Sequence, residues 1–219
     1  MLISHQANKI FISIPKTGST SIMSVLNEKS LHYHPTIYHA SFLEIVSFNN
    51  QILMNKDLQF SGNKIPFFGN FYRKSLFDYQ VYAVVRDPIK RLVSVYYDAI
   101  ADKNHLTLLD ISMLGSLSEF FKFYLSKNVF DHPVHLWPQT HFIADVPTQN
   151  LHLYHFNDLQ NLLDNLQGNF FWQHSKLPHL RKTDSSNTLI DYESSLVIDV
   201  MNSLLEDYNL YKSLPVNNL

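Results

Sequence analysis

The run KIFISIPKTGSTSIMSV, Lys9 to Val25, constrains the fold of this chain more than any other stretch. Ile10, Phe11, Ile12 and Ile14 form the short apolar run of a strand covered on both faces, and Pro15 ends it. Lys16, Thr17, Gly18, Ser19, Thr20 and Ser21 make a turn, after which Ile22, Met23, Val25 and Leu26 return with helical spacing. A chain that passes this way from a buried strand into a helix aims several backbone N–H groups, and the positive end of the helix dipole, at one point. Gly18 lets the backbone approach closely, hydroxyls stand beside it, and Lys16 adds a full charge. The turn suits an anion. It departs from the nucleotide P-loop, where lysine follows the second glycine; here Lys16 precedes the one glycine of the run. Taken alone, it fits a capped helix start with a solvated lysine equally well.

A second run, VYAVVRDPIKRLVSVYY from Val81 to Tyr97, repeats the strand–turn–helix logic. Tyr82 to Val85 read as another buried strand closed by Arg86-Asp87-Pro88, and Pro88 is well placed in a first helical turn. Arg86 at the strand end and Ser94 two turns into the helix can converge on a second anion beside the first. The bland alternative pairs Arg86 with Asp87 or Asp98 and has Ser94 bond its own backbone.

Together these runs resemble the two cofactor motifs of sulfotransferases that use 3′-phosphoadenosine 5′-phosphosulfate (PAPS). The resemblance implies that Lys16, Thr17, Gly18, Ser19, Thr20 and Ser21 hold the 5′-phosphosulfate, with Lys16 also acting catalytically on the leaving group, and that Arg86 and Ser94 hold the 3′-phosphate. Later segments extend it. LWPQTHFI, a strand and NDLQNLLDNL follow the order found in carbohydrate sulfotransferases, and PHLRKTD (178–184) and YHASFLE (38–44) are similar to runs of heparan sulfate and uronyl 2-O-sulfotransferases. On that likeness His39 is the catalytic base, and Arg181 and Lys182 grip the 3′-phosphate or the adenine edge from a late loop. An imidazole of ordinary pKa, about 6.5, can take a hydroxyl proton near neutral pH. Trp137 and Gln139 are candidates to line the acceptor cleft, with Trp137 as a core residue the alternative.

Composition removes other classes. With no cysteine, disulfides, thiolate catalysis and cysteine-based zinc sites are excluded. Twelve histidines are scattered through the chain; a metal site built from His32, His34 and His39 is an alternative to catalysis, but the spacing is not that of HExxH and no metal is expected. A net charge of -2 gives no global field for nucleic acid. No stretch approaches the length of a membrane span and no signal-peptide pattern opens the chain, so the expectation is a cytoplasmic protein of bacterial type.

At 219 residues and 45% hydrophobic content, one domain with a sizeable core is expected. The predicted architecture is α/β: a central parallel sheet from strands at 10–14, 81–85 and 151–155, flanked by helices, with a P-loop-like phosphosulfate loop. Helices are predicted over 19–29, 41–48, 107–127 with a break near Gly115, 139–143, 158–166 capped by Asn157, and 194–208. Residues 49–79 read as loops with short elements. The expected reaction is transfer of a sulfuryl group from PAPS to a hydroxyl, with a saccharide or glycoconjugate as partner. The rivals are an ATP-dependent kinase and a non-catalytic nucleotide- or carbohydrate-binding module. Neither the acceptor nor the oligomeric state is written in the sequence.

Overall fold

A computed structural model of the chain describes residues 2–4, 7–26, 39–47, 75–102, 108–166 and 188–215. Four strands, β1 (Leu2–Ser4), β2 (Lys9–Ile12), β3 (Gln80–Val85) and β4 (Leu151–His155), form one sheet in that order. β2, β3 and β4 are parallel neighbours, with Ile10 beside Val81 and Val81 beside Leu151. β1 runs antiparallel to β2, Leu2 opposite Phe11, so the sheet is mixed rather than wholly parallel. Its driving force is burial of Leu2 and Ile3, and Asn8 supplies the positive φ of 51° at the hairpin turn. Three residues are too few to show a period, which hid this strand from the sequence reading.

Side-chain alternation along β2 and β3 sorts the helices onto two faces. Phe11, Tyr82 and Val84 pack with Ile22 and Met23 of α1 (Ser19–Leu26) and with Leu162, Leu163 and Leu166 of α7 (Leu159–Leu166). Ile10, Ile12, Val81 and Ala83 face the other way, against Phe42 and Ile45 of α2 (residues 42–47) and Phe142 and Ile143 of α6 (Gln139–Ile143). A further core joins α3 (Pro88–Ala101), α4 (Leu109–Ser112), α5 (Leu117–Leu125) and α8 (Ser195–Ser203) through Leu92, Tyr96, Phe120 and Val200. Each fully buried Leu, Ile or Phe in these clusters contributes about 1.5–3 kcal/mol of hydrophobic free energy. This is the expected α/β architecture, a central sheet with helices on both faces.

Two local expectations need correction. The closing helix predicted over 194–208 is two helices: α8 ends at Leu204 (φ -116°, ψ 29°), and α9 runs Leu205–Ser213. Leu204 stays buried, and the break points the Asp207 carboxylate inward. Asn157 is not a helix cap: it lies inside a 3-10 turn, Phe156–Asp158, and α7 starts after it. The first predicted helix is described only to Leu26. Residues 48–74, and Arg181 and Lys182 with their loop, lie outside the described residues. The break at Gly115 is as expected: the Glu119 carboxylate accepts from its N–H at 2.7 Å, and Ser116 caps α5 by accepting from the Glu119 N–H at 3.2 Å.

Candidate active site

The Lys16 turn follows β2 and Arg86 follows the parallel β3, so both sit at the carboxyl ends of parallel strands, the edge where open α/β sheets bind ligands. After β2 the chain turns through Lys16 at φ 63° and Gly18 at φ 80°. A lysine in that region costs on the order of 1–2 kcal/mol, so the turn is held by its surroundings. The Gly18 carbonyl accepts from the N–H groups of Ser21 (3.1 Å) and Ile22 (3.2 Å), which locks the turn onto α1. A Cβ on Gly18 would lie 2.8 Å from Leu159 Cδ1 and 3.3 Å from Phe156 Cε2, so only glycine fits beneath α7 without a shift. The amides ahead of Ser21 belong to a helix N-terminus, where intrahelical acceptors do not exist. One detail departs from expectation. Thr17 is fully buried and its Oγ1 donates to the Ile14 carbonyl at 2.9 Å; this hydroxyl braces the turn. Ser19 is also buried, while Thr20 and Ser21 are half-buried at the start of α1.

Arg86, one residue past β3, reaches across to this turn: its Nη1 donates to the Lys16 carbonyl at 3.1 Å. Its guanidinium lies over the Phe156 ring, 4.4 Å from the centroid. Burial pushes its pKa down while the neighbouring Asp87 pulls it up, and a guanidinium stays charged in either case. The Asp87 carboxylate is engaged elsewhere. One oxygen accepts from the Lys90 N–H at 2.9 Å and caps α3, and the other accepts from Tyr192 Oη at 3.3 Å. Burial, with Asp87 adding, pushes the Tyr192 phenol up.

Lys16 Nζ pairs with Asp98 Oδ1 at 2.9 Å, with both side chains 13% exposed. Asp98 therefore meets Lys16, where the sequence had offered it to Arg86. Ser94 is buried on α3. It lies one turn before Asp98, and residues four apart share a helix face, so the Ser94 face of α3 is the one turned to the Lys16 loop.

His39 stands immediately before α2. That helix opens with Ser41 and Glu44 capping each other: Glu44 Oε2 accepts from the Ser41 N–H at 2.7 Å, and Ser41 Oγ accepts from the Glu44 N–H at 3.4 Å. His39 Nδ1 lies 2.7 Å from the Ser13 carbonyl, just upstream of the Lys16 turn. A carbonyl can only accept, so Nδ1 carries the proton and the neutral ring has its lone pair on Nε2. The His135 ring meets it edge-on at 5.1 Å. Burial pushes His39 from 6.5 down to about 3; the bond to Ser13 opposes this, while His135 and Arg91 add to it. The expectation of a base with an ordinary pKa is corrected: the ring is neutral well below neutral pH, and for the same reason it is weakly basic. Among the described residues, no group of three or more His, Cys, Asp or Glu is gathered to hold a metal ion. No described helix is long and apolar enough to cross a membrane.

Gln139 does not line a cleft. It is fully buried, and its side-chain amide bonds both backbone groups of Arg86. Trp137 is half-buried, packs against the core and donates from Nε1 to the His132 carbonyl at 2.8 Å. Sequence reasoning missed Phe156 as the platform under Arg86, although its place directly after β4 was a usable signal.

A sequence model described as Sulfotransferase family matches residues 1–208 of the chain. No curated protein and no solved structure matches it.

Proposed function

The chain belongs to the sulfotransferase family, and on that premise we propose that it transfers a sulfuryl group from PAPS to a hydroxyl of a saccharide, with His39 as base. Sulfuryl transfer is the reaction of the family; donor, acceptor and base are our reading. The observation that carries it is the contact of Arg86 with the Lys16 turn, since two anion-binding elements from different strands meet at one sheet edge. The packing of Gly18 against α7 fits a backbone cradle, and the match of YHASFLE to the 2-O enzymes supports the saccharide.

The donor supplies the sulfuryl group: a bond from the acceptor oxygen to sulfur forms as the bond from sulfur to the 5′-phosphate oxygen breaks, leaving 3′-phosphoadenosine 5′-phosphate (PAP). The residues act by position and charge. Lys16 neutralises the leaving oxygen, exchanging Asp98 for it. Amides at the α1 N-terminus, with Ser19, Thr20 and Ser21, hold the 5′-phosphate. Arg86 and Ser94 anchor the 3′-phosphate, with Arg181 and Lys182 in support. His39 Nε2 takes the acceptor proton, and anionic charge brought to the Lys16 turn raises its basicity. No metal is part of this reading.

The test is selective stabilisation. A ligand at 100 times its Kd stabilises a native protein by about 2.7 kcal/mol. PAP should raise the melting temperature accordingly and ATP should not. Arg86→Ala should weaken PAP far more than adenosine 5′-phosphosulfate, which lacks the 3′-phosphate. ATP binding without PAP binding would favour the kinase, and equal losses for both ligands would remove Arg86 from the 3′-phosphate site.

A further inference from the structure

The β3–β4 ladder ends at Val85, opposite His155. Arg86 is the next residue, and a buried backbone N–H or C=O left without a partner there would cost about 1–3 kcal/mol. The Gln139 carboxamide meets both. Its Oε1 accepts from the Arg86 N–H at 2.9 Å, and its Nε2 donates to the Arg86 carbonyl at 2.8 Å. One side chain thus does for Arg86 what a neighbouring strand does for Val85. A planar group with a donor and an acceptor together is needed, which among side chains means Gln or Asn.

Gln139 is itself fastened. Its N–H donates to Asp207 Oδ2 at 2.7 Å, and the Thr140 N–H and Oγ1 each donate to Asp207 Oδ1 at 2.9 Å. Just upstream, the fully buried Arg91 donates from Nη1 to the His135 carbonyl at 2.9 Å and from Nη2 to the Trp137 carbonyl at 2.7 Å. The segment from His135 to Thr140 is therefore tied to α3 and α9. Through Gln139 it grips the residue whose guanidinium meets the Lys16 turn.

We propose that Gln139 is a positioning residue for the donor site: by gripping the Arg86 backbone it sets the guanidinium against the Lys16 turn. This rests on the reading of Arg86 as the group that binds the 3′-phosphate. Arginine–phosphate pairing is directional, so a backbone free to shift loses part of it even with the side chain intact.

The experiment measures PAP and adenosine 5′-phosphosulfate affinities by calorimetry, with melting temperatures, for the wild type and five variants, Arg86→Ala and its double with Gln139→Met among them. Gln139→Met should weaken PAP about 10-fold, the size of one lost charge-assisted hydrogen bond, and leave adenosine 5′-phosphosulfate nearly unchanged. Added to Arg86→Ala, it should weaken PAP no further. Thr140→Val, which removes one Asp207 contact but none to Arg86, should lower the melting temperature and keep the wild-type ratio of the two affinities. Gln139→Asn draws the amide back by one methylene and should shift the ratio in the same direction as Met, so a Met variant that fails to fold still leaves a test. A wild-type ratio in a folded Gln139 variant, or an equal shift from Thr140→Val, overturns the proposal. A wild type that does not prefer PAP overturns the Arg86 reading first and this inference with it.

Discussion

Replacing His39 with glutamine should change how stability responds to acid. In the folded chain His39 is held neutral, with burial pushing its pKa from 6.5 to about 3, whereas in the unfolded chain it titrates near its ordinary value. The depressed group contributes nothing pH-dependent above about 6.5 and loses stability as pH falls, because only the unfolded state gains the proton. Between pH 7 and pH 5 the two proton-binding curves integrate to about 2 kcal/mol at 1.36 kcal/mol per unit. His132 and His152 are also lowered by burial, but they titrate in both proteins and cancel in the double difference. Urea unfolding of wild type and His39→Gln at the two pH values measures it. Wild type should lose about 2 kcal/mol more than the variant on going to pH 5. Equal losses would mean that His39 is not held neutral by burial, and the account of its tautomer and its weak basicity would fall with it.

Three further outcomes follow from the site. His39→Ala should cut turnover by about 10²- to 10⁴-fold, the range for a lost general base, with PAP affinity unchanged in calorimetry; a parallel loss of PAP binding would make His39 a packing residue. Gly18→Ala must take a φ of 80° and push Leu159 aside, so it should cost about 1–3 kcal/mol in denaturant unfolding and weaken PAP as well; wild-type stability would mean the turn is not held as described. Asp98→Asn removes the carboxylate that holds Lys16, so the melting temperature should fall while PAP binds about 5-fold tighter, an ion pair of this exposure being worth about 1 kcal/mol; weaker PAP binding would show that Asp98 orients Lys16 for the donor.

The elements that showed in the sequence are those whose burial imposes a period. Ile10 to Ile14, Tyr82 to Val85 and Leu151 to His155 carry enough apolar residues to mark strands, and they pair in parallel as expected. Short α6 was legible between Pro138 and the following loop, and its observed limits are the predicted ones. What stayed hidden depends on tertiary contact. β1 is too short for a pattern, and the break at Leu204 becomes useful only because Asp207 can then reach the N-terminus of α6. At the site, residue types pointed to Lys16, Gly18 and Arg86 at one edge. They could not show that the Thr17 hydroxyl turns inward, that Asp98 meets Lys16, or that Gln139 grips Arg86. The depressed pKa of His39 was equally out of reach, since desolvation is a property of the surroundings rather than of the residue.

Transfer of labelled sulfate from PAPS to a panel of saccharides, run with wild type and Lys16→Ala side by side, tests the central claim most directly. The account predicts label on a saccharide hydroxyl, release of PAP in equal amount, and neither with Lys16→Ala. Wild type that binds PAP yet moves no label to any saccharide, or Lys16→Ala that transfers as fast as wild type, would contradict it.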